Sequence, residues 1–264
     1  MIRPKKSLGQ HFLRDANIAR NIVALLDPQP GETILEIGPG TGALTRFLGG
    51  KGARVFAVEI DARAAGILGE HFPPGGDIAI LHGDILETDL ATIAGPNGDK
   101  LRVIGNLPYF LSSRILFHLF DQAGSLRDAV LMLQREVARR LAAEPGNKEY
   151  GILSVMARLH ADTRIAMHVP PTAFRPPPKV WSSVVHMTFR KDRSAAVADI
   201  EFFRRLVRSA FGQRRKRLAN ALSAFADGFV SLPPELAALL AGRAEERSLE
   251  EFIALANALT AAQT

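Results

Sequence analysis

The chain has 264 residues, 47% of them apolar, with no cysteine and a formal net charge of +6. It is long enough to bury a sizeable core in one large domain, or in one large and one small. Lack of cysteine excludes disulfides and thiolate metal sites and is compatible with a reducing cytoplasm, and the positive charge favours a polyanionic partner.

The N-terminus reads Arg3-Pro4-Lys5-Lys6 and continues to Phe12-Leu13, a basic extended arm with an apolar anchor. On its own it reads as a solvated tail. Asp15 is placed as an N-cap, and Ile18, Ile22, Leu25 and Leu26 mark one face of a helix that Pro28 and Pro30-Gly31 stop. Ile34 to Ile37 then form a short apolar strand that enters Gly38-Pro39-Gly40-Thr41-Gly42, and residues 43–48 return to helical spacing. Strand, glycine turn and helix make the first unit of a doubly wound, Rossmann-like α/β sheet, which binds ligands at the carboxyl ends of its strands. Gly38, Gly40 and Ala43 also fit the dinucleotide fingerprint, with Glu59 about twenty positions on. From this stretch the ligand stays open between a nicotinamide or flavin nucleotide and S-adenosyl-L-methionine.

The second strand, 54–58, ends at Glu59-Ile60-Asp61. A carboxylate there suits a ribose diol, and Asp61 suits a helix N-cap. The third, 78–81, is followed by Asp84, which can accept from an adenine amine or simply serve a turn. The fourth, 101–105, runs into Asn106-Leu107-Pro108-Tyr109. A helix over 111–121, a strand over 129–133 and a helical stretch over 134–161, broken at 145–147, follow. Residues 163–169 and 183–189 alternate as two closing antiparallel strands. Residues 170–179 between them form a polyproline-like loop that can hold Phe174 at the surface. Lys191 to Ser194 read as a linker, dividing a sheet domain (1–192) from a small all-α domain (193–264) with helices at 199–211, 214–226, 233–241 and 248–260. Arg204, Arg205, Arg208, Arg214, Arg215, Lys216 and Arg217 on the first two of these suit phosphate contacts.

The tetrapeptide at the end of the fourth strand carries the chemistry. An exocyclic amino nitrogen is a poor nucleophile because its lone pair is delocalised into the ring. Two acceptors aimed at its hydrogens, the Asn106 side-chain oxygen and the Leu107 carbonyl, would localise that pair. Pro108 fixes the backbone and Tyr109 stacks on the base. The methylated nitrogen sheds its proton readily, so no strong base is needed, and the chain offers no credible Ser/His/Asp or Cys/His set. The seven histidines show no H-x-x-x-H or H-E-x-x-H spacing, so no metal is expected. No apolar run reaches membrane-spanning length. These features favour S-adenosyl-L-methionine as the cofactor.

Over essentially its whole length the chain resembles the small-subunit rRNA adenine N6,N6-dimethyltransferases. The matching stretches are Ser7 to Leu13, Glu36 to Gly42, Gly105 to Tyr109, Phe174 to Val180 and Phe211 to Lys216. The resemblance implies a class I methyltransferase sheet with an antiparallel closing strand and a helical tail. It implies transfer of four methyls to two adjacent adenosines in the 3′-terminal hairpin of 16S rRNA, coupled to maturation of the 30S subunit. It implies that the arm folds over the cofactor, so that His11 and Leu13 join Gly38, Gly40, Glu59, Ile60, Asp84, Ile85 and Asn106 as cofactor contacts. Phe174 becomes a second stacking face. Ile85 stands where alanine is common in the family, which alters the fit around the cofactor's adenine. RNA rather than DNA or membrane is the implied partner, met by the arm and by Arg204, Arg208, Arg214, Arg215 and Lys216. Nothing demands more than a monomer. Two alternatives compete: dimethylation of a 23S rRNA adenine, and a mainly non-catalytic role in subunit assembly.

Overall fold

The computed structural model describes residues 10–94 and 100–262; Ser7, Leu8 and Gly9 of the arm lie outside the described residues. Among the described residues nine strands form: β1 (Phe12–Leu13), β2 (Thr33–Ile37), β3 (Arg54–Glu59), β4 (Ile78–His82), β5 (Leu101–Asn106), β6 (Leu126–Gln134), β7 (Ala161–Val169), β8 (Phe174–Arg175) and β9 (Ser182–Phe189). Seven of them make one sheet in the order β4-β3-β2-β5-β6-β9-β7. The strands from β4 to β6 in that order are parallel, and β9 runs antiparallel to β6. The contacts Arg164–His186 and His168–Ser183 step in opposite directions along β7 and β9, the mark of an antiparallel pair. β1 and β8 form a separate two-stranded ribbon, Leu13 opposite Phe174.

The helices beside the sheet follow from local signals. α1 (Ala16–Leu26) starts at Asp15, whose carboxylate accepts from Asn17 and Ile18 N–H, and buries Ala19, Ile22, Val23 and Leu26. α2 (Thr45–Leu48) is a single turn after the glycine loop. α3 (Ala62–His71) is capped by Asp61, and α4 (Leu90–Ala94) and α5 (Ser112–Asp121) complete the set around the parallel strands. The inner parallel strands β2, β3, β5 and β6 are mostly buried, as a sheet covered on both faces requires, while the edge strand β4 buries only Ile78.

At the amino end of the strands an ion cluster crosses the sheet. Arg102 on β5 donates to both oxygens of Asp128 on β6 at 2.8 and 2.6 Å, and to Glu32 at 2.7 Å and the Asp27 carbonyl at 3.0 Å. Arg127 holds the other Glu32 oxygen at 2.6 Å. Burial pushes the Glu32 carboxyl up, but Arg102, the Gln29 N–H and Arg127 outweigh it and keep it below the usual range.

The chain divides into two compact units. The first runs to Ala138 and resumes over Thr163–Phe189; the second takes Arg139–Asp162 and everything from Arg190. The single cut expected near residue 192 therefore misses the segment 139–162, which includes most of α6 (Arg135–Leu141) and all of α7 (Ile152–His160). Its reason is aromatic packing within the second unit: Tyr150 meets Phe211 at 5.9 Å, and Phe211 meets Phe252 at 5.9 Å.

Three other expectations are corrected. The expected linker is α8 (Asp192–Ala195), an ion-paired turn in which Arg190 and Arg193 both hold Asp162. α9 (Ile200–Gly212) forms as expected, but the helix expected over 214–226 does not. Residues 214–217 are a turn, α10 (Leu218–Ala221) is one turn long, and a 3-10 segment spans Ser223–Ser231. Four consecutive basic residues at 214–217 have no apolar face to bury there, so the helical period has nothing to pack. α11 (Pro234–Leu239) and α12 (Leu249–Ala261) close the unit. Third, the loop 170–179 does not hold Phe174 at the surface, because Phe174–Arg175 is paired as β8 and Phe174 is buried.

Candidate active site

A cleft opens at the carboxyl ends of β2, β3 and β5, lined by four segments: Gln10–Leu13, the turn after β2, Glu59-Ile60 and Asn106–Leu111. Gly38, Gly40 and Gly42 take positive φ values of 64°, 58° and 76°, a region that side chains disfavour. A Cβ on Gly40 would stand 3.1 Å from the Phe12 ring, so the arm lies directly on this turn.

Glu59 holds the turn in place. Its carboxylate accepts from Gly40 N–H at 2.9 Å and Asp61 N–H at 2.8 Å. Burial raises its pKa, and those two N–H groups pull it back. Each oxygen retains a lone pair for a ligand hydroxyl.

Asn106 ends β5. Its Nδ2 donates to the His11 carbonyl at 3.1 Å, which fixes the amide and leaves Oδ1 as its remaining acceptor. Leu107 N–H is tied to the Met132 carbonyl at 3.1 Å. Tyr109 hydrogen-bonds Ser182 Oγ at 2.7 Å, and the His11 ring stacks on it with centroids 5.4 Å apart. His11 is itself held by the Pro176 carbonyl at 2.8 Å. Just before this group, a Cβ on Gly105 would sit 2.8 Å from the Ile37 carbonyl, so only glycine lets β5 approach β2 there.

The cleft brings together His11, Leu13, Gly38, Gly40, Glu59, Ile60, Asn106, Leu107, Pro108 and Tyr109. Three expected members stand elsewhere. Asp84 caps a short 3-10 turn, accepting from Leu86 N–H at 2.9 Å, and Ile85 is buried behind it; neither lines the cleft. Phe174 is 4% exposed, in a core with Leu13, Met132, Val169 and Val184, and so is not at the surface as a stacking face. Its pairing with Leu13 turns the ring inward.

Glu36 was not among the expected site residues, although it lines the cleft and its Oε2 is buried without a hydrogen-bond partner. The signal was an acid inside an otherwise apolar strand. Burial pushes its carboxyl up to about 8, against the pull of Thr45. A carboxyl raised in the folded state adds stability in full below its unfolded value of about 4.5. That contribution is lost as pH rises through about 8. Glu36→Gln is expected to flatten the decline in unfolding free energy between pH 5 and 8; a variant with the same pH slope as the parent would contradict this.

The five expected RNA contacts separate into two groups. Arg204 pairs with Glu201 at 3.0 Å and Arg214 with Glu245 at 2.6 Å. Arg208, Arg215 and Lys216 are exposed.

Asn106 and Leu107 can offer two acceptors beside an aromatic face, suited to an amino group on a planar base. Glu59 suits a diol, and Glu36, protonated up to about pH 8, can ionise against a cation that enters the cleft. No lysine or arginine lines the cleft among the described residues, so a pyrophosphate would lack a counter-charge there. The fit favours an adenosyl sulfonium over a dinucleotide. No helix among the described residues is long and apolar enough to cross a membrane.

A family model described as ribosomal RNA adenine dimethylase matches residues 1–260. The chain is 44% identical over 257 residues to the ribosomal RNA small subunit methyltransferase A of Xanthomonas campestris pv. campestris strain 8004, covering 96% of this chain and 95% of that one. It is 43% identical over 266 residues to the protein of the same name from Geobacter metallireducens, covering 98% and 97%. In fold it is similar to a dimethyladenosine transferase from Plasmodium falciparum, with TM-score 0.78, 24% identity and coverage of 93% and 96%. It is also similar to a 23S rRNA methyltransferase, ErmE, with TM-score 0.69, 24% identity and coverage of 94% and 99%.

Proposed function

The chain belongs to the ribosomal RNA adenine dimethylase family, and from that premise we propose how its cleft works: as an S-adenosyl-L-methionine-dependent enzyme that dimethylates N6 of two adjacent adenosines near the 3′ end of 16S rRNA. The observation that carries the reading is the Asn106 amide, oriented by the His11 carbonyl so that its oxygen stays free beside Tyr109.

When bound, the cofactor supplies an electrophilic methyl that an amine lone pair takes in a single displacement. The protein's part is to present that amine. Asn106 Oδ1 and the Leu107 carbonyl accept from the two N6 hydrogens and localise the lone pair, and Tyr109 holds the base flat. Glu59 takes the ribose hydroxyls while keeping the glycine turn in shape. Glu36 would release its proton to water and balance the cofactor's positive charge. His11 braces Tyr109, and the proton lost from N6 passes to water.

The 16S target is favoured over 23S because both relatives described above, at 44% and 43% identity, are named for the small subunit. The enzyme acts in the cytoplasm, where subunits mature, and as a single copy, since one chain supplies every wall of the cleft. Transfer of labelled methyl to unmethylated small subunits tests the reading. N6,N6-dimethyladenosine at two adjacent 16S positions is expected; label in 23S rRNA, or none on either subunit, would overturn it.

Arg208, Arg215 and Lys216 meet RNA phosphates in this reading. Replacing all three with alanine is expected to lower the log–log salt slope of RNA affinity by about 2 to 3. Arg214→Ala is expected to act on stability instead, because its guanidinium is already held by Glu245. An unaltered slope in the triple variant would make that cluster solvated surface only.

A further inference from the structure

Trp181 is the chain's one tryptophan. It is 47% exposed, and no part of the cleft described above uses it. Its position is fixed by three backbone and side-chain links. Ser182, the next residue, opens β9 opposite Gln134 at the carboxyl end of β6, the edge of the sheet on which the cleft opens. Ser182 Oγ is the partner of the Tyr109 hydroxyl at 2.7 Å. The Trp181 carbonyl accepts from Arg135 N–H at 2.9 Å. Consecutive Cα atoms lie about 3.8 Å apart, so the indole is attached one residue from the group that anchors the stacking tyrosine.

The surroundings say what would cover it. Arg135 and Lys179 beside it are exposed, and Phe110 on the rim of the cleft is 56% exposed. An indole flanked by cations meets an unpaired base and its phosphates, because every base offers a face to stack on. An apolar protein partner would leave the two cations facing a surface with no charge to meet them.

We infer that Trp181 is a substrate-binding residue that stacks on an unpaired nucleotide next to the target adenosine, with Arg135 and Lys179 on the adjoining phosphates. The inference rests on the proposed reaction for its substrate. It concerns RNA affinity and not the reacting atoms.

The test compares wild type, Trp181→Phe and Trp181→Leu in methyl transfer to unmethylated small subunits. Trp181→Leu is expected to raise KM about 5- to 150-fold with kcat unchanged, and Trp181→Phe to restore most of the affinity. Cofactor affinity, measured by calorimetry, should be equal in all three and so report an intact fold. A second readout needs no catalysis. A synthetic RNA of the unmethylated 16S 3′-terminal hairpin with its single-stranded flanks should quench the tryptophan emission of the wild-type protein. Equal KM for Leu and wild type, or an emission that shifts to the blue without quenching, would overturn the inference in favour of solvated surface or apolar docking. If wild type transfers no methyl, the reaction itself fails, and quenching alone decides on Trp181.

Discussion

Asn106→Ala is expected to lower kcat for methyl transfer by roughly 10²- to 10³-fold, the usual loss for one preorganised polar group at a reacting centre. RNA affinity should stay within a factor of about two, because the residues proposed to meet phosphate lie elsewhere in the chain. Two contributions combine in the loss. The acceptor for an N6 hydrogen disappears, and the His11 carbonyl loses its donor at 3.1 Å, which loosens the residue stacked on Tyr109. Asn106→Asp separates them: it restores an acceptor but cannot donate to His11. Single-turnover rates on unmethylated small subunits measure the effect, and a variant at wild-type rate would remove Asn106 from the chemistry. If Asn106→Ala is inactive yet subunits mature normally, binding rather than methylation is the protein's main contribution to assembly.

Asp128→Ala is expected to cost about 3–5 kcal/mol of folding free energy. Arg102 and Asp128 have side chains only 7% and 8% exposed, and two of the guanidinium's donors point at that carboxylate. Removing it leaves a buried charge with Glu32 and one carbonyl as partners. The cost should appear as a lower urea midpoint at constant m. Replacing Arg102 and Asp128 together with methionine and leucine should recover much of it, because the expensive state is the unpaired charge. Methyl transfer by folded Asp128→Ala should be close to normal, since Arg102 and Asn106 are four residues apart on one strand, about 13 Å. A loss below about 1 kcal/mol would mean that water reaches the cluster and screens it.

Much of the fold was legible in the sequence, and particular residues show why. Asp15 and Asp61 are N-caps as expected, because a carboxylate at the first free N–H groups acts within three residues of itself. The glycine turn and Asn106–Tyr109 were readable because strand period, turn chemistry and site chemistry coincide there. What failed was non-local. Phe174 looked like a surface residue among prolines; its burial depends on Leu13, 161 positions earlier, which no local pattern encodes. Residues 139–162 look like a continuation of the sheet domain and join the second unit through Tyr150 and Phe211. Asp84 has two readings, an adenine contact and a turn cap, and its Oδ1 makes the cap two residues on. Glu36 was missed because a buried strand position attracts a packing explanation even when its side chain is an acid.

The position of β9 also bears on the order of synthesis. β7 leaves the ribosome first, yet it lies outside β9 in the sheet, so it has no strand to pair with until about twenty more residues have followed. β9 brings Ser182, the hydroxyl on which Tyr109 rests. A nascent chain that has emerged only as far as β7 therefore carries the glycine turn, Glu59 and Asn106 with the tyrosine still unanchored. The tyrosine's anchor therefore arrives late in translation, with the last strand of the sheet.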